Sequence, residues 1–145
     1  MANAIFPGSF NPFTIGHKSI IDRALPLFDK IYIAVGYNEQ KSATHPPLDR
    51  VERIAAIYEG NPKVEACAYS GLTVEFAADH NIAFIIRGIR NSIDFEYEKG
   101  MADINRRIGN IETIFIPTVP ELSDISSSVV RELSHNGYDI TPFIP

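Results

Sequence analysis

The sequence predicts an α/β protein built on a doubly wound, five-stranded parallel sheet. Three observations carry this. Short β-rich runs alternate with helical periods along the whole chain. The fourth run, Ile82-Ala83-Phe84-Ile85-Ile86, is continuously apolar, as a strand covered on both faces must be. Glycine-bearing or polar segments follow each of five strands, where open α/β sheets bind their ligands.

The elements follow in order. Ala4-Ile5-Phe6 is the first strand, running into Pro7-Gly8-Ser9-Phe10-Asn11-Pro12. Ile20, Ile21, Ala24, Leu25 and Phe28 then share a helical face, which Pro26 disturbs near its end. Ile31–Val35 is a second strand, closed by Gly36. Val51, Ile54, Ala55 and Tyr58 mark a second helix, entered after Pro46-Pro47 and ended by Gly60-Asn61-Pro62. Val64–Tyr69 is a third strand, followed by a short helix around Thr73–His80. The fourth strand at 82–86 precedes Arg87-Gly88-Ile89-Arg90. Tyr97, Met101, Ile104 and Ile108 mark a longer helix, and Glu112–Ile116 is a fifth strand. Val129, Val130 and Leu133 mark a last helix, with Asn136-Gly137 as its C-cap. Right-handed βαβ units then give a Rossmann-like sheet in one domain spanning residues 1–145.

Composition narrows the function. At 45% hydrophobic the chain has enough apolar residues for a core. No apolar run approaches the roughly 20 residues that span a bilayer, so no membrane is expected. No basic region leads into a long apolar stretch, so a cytoplasmic location is expected. The one cysteine, Cys67, fits a reducing compartment and reads as a buried, inert thiol. A net charge of −5 argues against a nucleic-acid partner but leaves room for a local anion pocket. His17, His45, His80 and His135 lack metal-ligand spacing, so no protein metal site is expected. A Mg²⁺ carried by a nucleotide would be held mostly by phosphate and water.

The chemistry concentrates at the strand ends. Thr14-Ile15-Gly16-His17 opens the first helix, and a helix N-terminus attracts anions through its unpaired N–H groups and its dipole. His17 there could donate to a phosphoryl oxygen, and Ser9 beside Gly8 could orient a phosphate; both also suit ordinary cap and turn positions. Arg87 and Arg90 flank Gly88 after a buried strand, and each guanidinium fork matches a phosphate. Lys41 is a loop cation on the same rim. Asp94 and its acidic neighbours are explained by the dipole of the helix they open. Ser126-Ser127-Ser128 can cap the last helix and form a second anion cradle at once.

These segments resemble the bacterial phosphopantetheine adenylyltransferases, of the nucleotidyltransferase superfamily with a T/H-x-G-H signature. The likeness covers essentially the whole chain. It rests on Pro7–Pro12, Thr14–His17, Arg87–Arg90, Asp94-Phe95-Glu96-Tyr97-Glu98, Asn105-Arg106 and Ile125–Ser128. It implies transfer of the adenylyl group of ATP, accompanied by Mg²⁺, to 4′-phosphopantetheine. The acceptor phosphate attacks directly, giving dephospho-coenzyme A and pyrophosphate. His17, Lys41 and Arg87 are the implied catalytic residues. Ser9, Lys41, Thr73 and Arg87 are implied on the acceptor. Ser9, Phe10, His17, Gly88, Ile89, Arg90, Glu98 and the segment Leu122, Ser123, Asp124, Ile125, Ser126, Ser127 and Ser128 are implied on ATP. A homohexamer and feedback by coenzyme A are implied as well.

Ser9 stands where the family usually has Thr, Asn11 where it has Asp, and Leu122-Ser123-Asp124 where aromatic-Ser-Phe is common. The chain stops at Phe143-Ile144-Pro145, where many members continue into a further helix. The competing readings are a related nucleotidyltransferase acting on nicotinamide mononucleotide or using CTP, and a non-catalytic nucleotide or coenzyme A sensor.

Overall fold

Parallel strands cannot be joined by tight turns, and each of the first four predicted helices supplies one crossover. In the computed structural model, which describes residues 2–38 and 47–145, the strands are β1 (Asn3–Gly8), β2 (Lys30–Gly36), β3 (Val64–Tyr69), β4 (Phe84–Ile89) and β5 (Glu112–Pro117). The helices are α1 (Ile15–Ala24), α2 (Leu48–Ile57), α3 (Thr73–Asp79), α4 (Ser92–Gly109) and α5 (Ser127–His135). Pro26 sits in a 3-10 turn, Leu25–Leu27, that takes over where α1 ends. Gly137 follows the end of α5 with φ +85°, a conformation that favours glycine.

All described strand pairs are parallel and the order is β3-β2-β1-β4-β5. The chain winds outward from β1 through β3, then returns to the other side of β1. The topological switch point therefore lies between β1 and β4. Here the pairing is short. β1 stays in register with β2 as far as Gly8↔Val35, and β4 with β5 as far as Ile89↔Pro117. Between β1 and β4 only Ala4↔Phe84 and Ile5↔Ile85 pair. Past that point the strands separate, and a crevice opens at their carboxyl ends.

Alternate residues of each strand feed opposite faces, as the two-residue repeat requires. Ala4 and Phe6 of β1 join Ile31, Ile33 and Val35 under α1 and α2, with Ile20, Ile21 and Ile54. Ile5 joins Tyr32, Ala34 and Ile85 under α3, with Val74 and Ala77. Cys67 is half-buried at the edge of this second cluster, and burial pushes its thiol pKa up to about 11. No described helix is long and apolar enough to cross a membrane.

Two expectations change. Arg87-Gly88-Ile89 does not follow the fourth strand but belongs to it, because backbone pairing with Phe115, Ile116 and Pro117 continues through all three. The apolar period of α4 finds the helix but not its buried side. Tyr97, Met101, Ile104 and Ile108 are 42–67% exposed, whereas Glu98 is the buried residue of that helix.

At its C-terminal end α4 passes very close to α3. A Cβ on Gly109 would sit 2.6 Å from Val74 Cβ, part of a short, stiff side chain. Alanine is the better helix former by about 1 kcal/mol. Even so, Gly109→Ala should lower stability by about 1–3 kcal/mol from overpacking, read as a lower urea midpoint. Combining it with Val74→Ala should cost less than the sum of the two single changes. A raised midpoint in Gly109→Ala would show that the helices are not in contact there.

Candidate active site

The loop leaving β1 delivers the chain to Thr14, the buried N-cap of α1. Thr14 and His17 form a reciprocal capping box. The His17 backbone N–H donates to Thr14 Oγ1 at 3.4 Å, and the Thr14 backbone N–H donates to His17 Nδ1 at 2.9 Å. A backbone N–H can only donate, so Nδ1 must be the unprotonated nitrogen and the ring proton must sit on Nε2. The ring stacks on Phe13, with centroids 5.3 Å apart, and meets the edge of Phe10 at 5.0 Å. Burial, then the nearby guanidinium charges of Arg87 and Arg90, lower the His17 pKa to about 4. At neutral pH His17 is an uncharged imidazole lining the crevice with an N–H donor.

Arg87 bridges the opened strands. Its Nη1 donates to the Pro7 carbonyl of β1 at 2.6 Å. Its Nε and Nη2 donate to the two Glu98 oxygens at 2.8 and 2.7 Å, a bidentate pair. Five guanidinium hydrogens less these three leave two, one on each terminal nitrogen, for a ligand. Arg90 is held likewise: its Nε donates to Asp94 Oδ2 at 3.1 Å, and its backbone N–H to the same oxygen at 3.2 Å. Asp94 and Glu98 are one helical turn apart, so α4 turns both toward the crevice, one carboxylate per arginine.

The N-terminus of α5 closes the far wall. Ser126 caps it by accepting from the Val129 N–H at 3.2 Å, and Ser127 Oγ donates to the Pro12 carbonyl at 2.7 Å. The result is a cleft of about 260 Å³ that faces two helix N-termini, His17, Arg87 and Arg90. A second cleft of about 300 Å³ adjoins it across Pro7, Gly8, Ser9, Arg87 and Glu98. Tyr69, Thr73, Tyr97, Met101 and Asn105 line its outer part, and the Tyr69 and Thr73 hydroxyls are 2.8 Å apart.

The first cleft brings together Ser9, Phe10, His17, Arg87, Gly88, Arg90, Glu98, Ile125, Ser126 and Ser127. Thr73 stands in the second cleft. Ile89, Leu122, Ser123, Asp124 and Ser128 line neither, and Asp124 is exposed. Lys41 lies outside the described residues. Sequence reasoning passed over Asp94 as a mere dipole partner, although its four-residue spacing from Glu98 was a signal. Tyr69 and Met101 gave no signal beyond apolar periodicity. Among the described residues no group of three or more His, Cys, Asp or Glu side chains is placed to hold a metal.

A cytidylyltransferase-like family matches residues 5–133. The chain is 50% identical to the phosphopantetheine adenylyltransferase of Phocaeicola vulgatus and 49% identical to that of Bacteroides thetaiotaomicron. Each alignment covers 100% of this chain and 96% of the relative. It is 44% identical to the enzyme of that name from Leuconostoc citreum, over 92% of that protein. Among solved structures it superposes on a bifunctional NMN adenylyltransferase/ADP ribose pyrophosphatase from Francisella tularensis with a TM-score of 0.72. That match has 16% identity and covers 99% of this chain but 45% of the other. A second structure of that protein, with AMP and a manganese ion, gives 0.66. At such identity the likeness is one of fold.

The capping box and the burial of His17 have a pH signature. An unfolded imidazole takes up its proton near pH 6.5, the folded one only near 4. The contribution of His17 to stability is therefore complete above about pH 6.5 and is lost as the pH falls toward 4. Imidazole ¹⁵N spectra should show the Nε2–H tautomer from pH 5 to 8. A folded-state titration near 6.5, or an Nδ1–H signal, would contradict this geometry.

Proposed function

The chain belongs to the cytidylyltransferase-like family and, within it, to the phosphopantetheine adenylyltransferases, and on that premise we propose how its two clefts divide the work. The reaction moves the adenylyl group of ATP to 4′-phosphopantetheine, giving dephospho-coenzyme A and pyrophosphate, a step of coenzyme A biosynthesis. The observation that carries the division is that the two clefts meet at Ser9 and share the Arg87–Glu98 pair. Two anionic substrates laid one in each cleft would meet at that wall.

ATP occupies the first cleft, its phosphates at the N-termini of α1 and α5 and beside Arg90. Phosphopantetheine occupies the second, its phosphate at the two remaining donors of Arg87, with Ser9 beside it; Lys41 is a further cation that the resemblance implies for this phosphate. Its arm runs past Thr73, Tyr97 and Met101. An oxygen of the acceptor phosphate attacks the α-phosphorus and a new P–O bond forms. The bond to the bridging oxygen breaks, and pyrophosphate leaves with that electron pair. Neither step needs a proton from the protein. His17 donates a hydrogen bond from Nε2 to an α-phosphate oxygen and stays neutral throughout. The low pKa suits this role, because a ring that does not titrate near neutrality is a donor at every working pH. Holding two mutually repelling anions in line is the main task, and orientation of this kind is worth roughly 7–11 kcal/mol.

ATP enters as its Mg²⁺ complex. Asp94 and Glu98 are engaged by arginines, so phosphate and water would supply most ligands of the ion, whose charge would offset that of the phosphates. Coenzyme A, which carries the same pantetheine arm, competes in the second cleft. The exposed Ile104 and Ile108 of α4 fit assembly into the homohexamer that the resemblance implies, in the cytoplasm.

Pyrophosphate release should require both ATP and 4′-phosphopantetheine. His17→Ala should lower kcat by roughly 10²–10³-fold while leaving ATP binding near normal. Glu98→Gln should lower kcat/KM for phosphopantetheine roughly ten- to a hundredfold, since it loosens a charge-assisted bidentate anchor of Arg87. Wild-type protein that binds ATP but turns over only with nicotinamide mononucleotide, or only with CTP, would redirect the reading to those relatives. Turnover unchanged in His17→Ala would remove His17 from the chemistry.

A further inference from the structure

The Ser9–Pro12 loop, which separates the two clefts from the rear of the molecule, contains a strained residue. Phe10 has φ +45°, a left-handed conformation that a side chain with a Cβ rarely adopts. Such a residue persists only where its surroundings over-determine it. Its ring does part of this, packed against Phe6 at 5.3 Å and against Phe13 and His17. Gly8 makes room, since a Cβ there would lie 2.9 Å from the Phe10 ring.

The backbone is held differently. Arg50 Nη1, from α2, donates to the Ser9 carbonyl at 2.6 Å. Arg131 Nη1, from α5, donates to the Asn11 carbonyl at 2.6 Å, while its Nη2 donates to Ser128 Oγ at 3.3 Å. The carbonyls of the residues before and after Phe10 are thus each gripped by a guanidinium from a different helix. A groove of about 780 Å³ opens behind the loop, lined by Asn11, Arg50 and Arg53 among others. Close packing does not fill this side, and Arg50 reaches the loop along it.

We propose that Arg50 and Arg131 are positioning residues for the reaction: by gripping the carbonyls on either side of Phe10 they fix its strained backbone, and through its ring the place of His17. Neither guanidinium lines either cleft, so their effect is transmitted and not direct. The inference rests on the role given to His17 above.

The test compares Arg50→Met and Arg131→Met with their lysine counterparts, with Arg53→Met on α2 as control and His17→Ala alongside. Each methionine variant should lose kcat roughly ten- to a hundredfold, with KM for both substrates within about twofold of wild type, because a displacement near 1 Å is enough. The His17 ring resonances should shift and its titration should move up from about 4 toward ordinary values as the cage loosens. Lysine keeps one donor and should recover part of both effects; Arg53→Met should change neither. The proposal is overturned if the methionine variants keep both kcat and the His17 spectrum while His17→Ala is inactive. It is equally overturned if Arg53→Met matches their loss. If His17→Ala retains turnover, the assigned role of His17 fails, and the ring spectrum alone then decides whether the arginines position it. Should the methionine variants not fold, the lysine variants decide on the same readouts: both effects in reduced degree support the proposal, and wild-type values overturn it.

Discussion

The site depends on one bridge across an opening in the sheet. β1 and β4 part company after Ile5 and Ile85, and Arg87 reaches back over the gap to the Pro7 carbonyl. Without the opening there would be no crevice, and the bridge ties its two lips together by a guanidinium–carbonyl hydrogen bond. The fork is steadied in turn by Glu98 from α4. One side chain therefore ties together a strand from each half of the doubly wound sheet and the helix that roofs the second cleft. With three guanidinium hydrogens committed, the direction of the remaining two is set.

The charge arrangement follows from that bridge. The chain carries a net −5, yet the proposed reaction puts an anionic substrate in each cleft. The resolution is local: Arg87 and Arg90 concentrate positive charge, and Glu98 and Asp94 hold each in place. The carboxylates keep the unliganded site from being a dense patch of like charge, while the planar forks keep direction. His17 contributes no charge at neutral pH, so under the proposed function the attraction for phosphate would come from arginines and helix ends, with the ring acting as a dipole.

Much of this was legible in the sequence. The third strand has the predicted limits Val64–Tyr69, and helix signals such as Pro47, Pro26 and Asn136-Gly137 act where local chemistry says they must. Those features depend on neighbours a few residues away. What failed depended on distant partners. Arg87-Gly88-Ile89 reads as a loop because a charge and a glycine interrupt the apolar run; only pairing with β5 shows that the strand continues. The apolar stripe of α4 reads as a core face, although the buried position is taken by an acid that an arginine eleven residues earlier needs. The grip of Arg131 on Asn11 spans 120 residues of sequence and leaves no local mark. Strand order is of the same kind, since alternating strands and helices fit several windings.

The capping box gives the ring two employers. His17 Nδ1 completes the first turn of α1 by accepting from Thr14, while the opposite nitrogen serves the crevice. Few side chains can do both, so the helix start and the chemistry proposed for this ring share one point of failure. For a compound anchored on that outward N–H, the consequence is pharmacological: the obvious escape from the compound would also remove the capping box of the helix that carries the ring, which favours resistance arising elsewhere in the clefts.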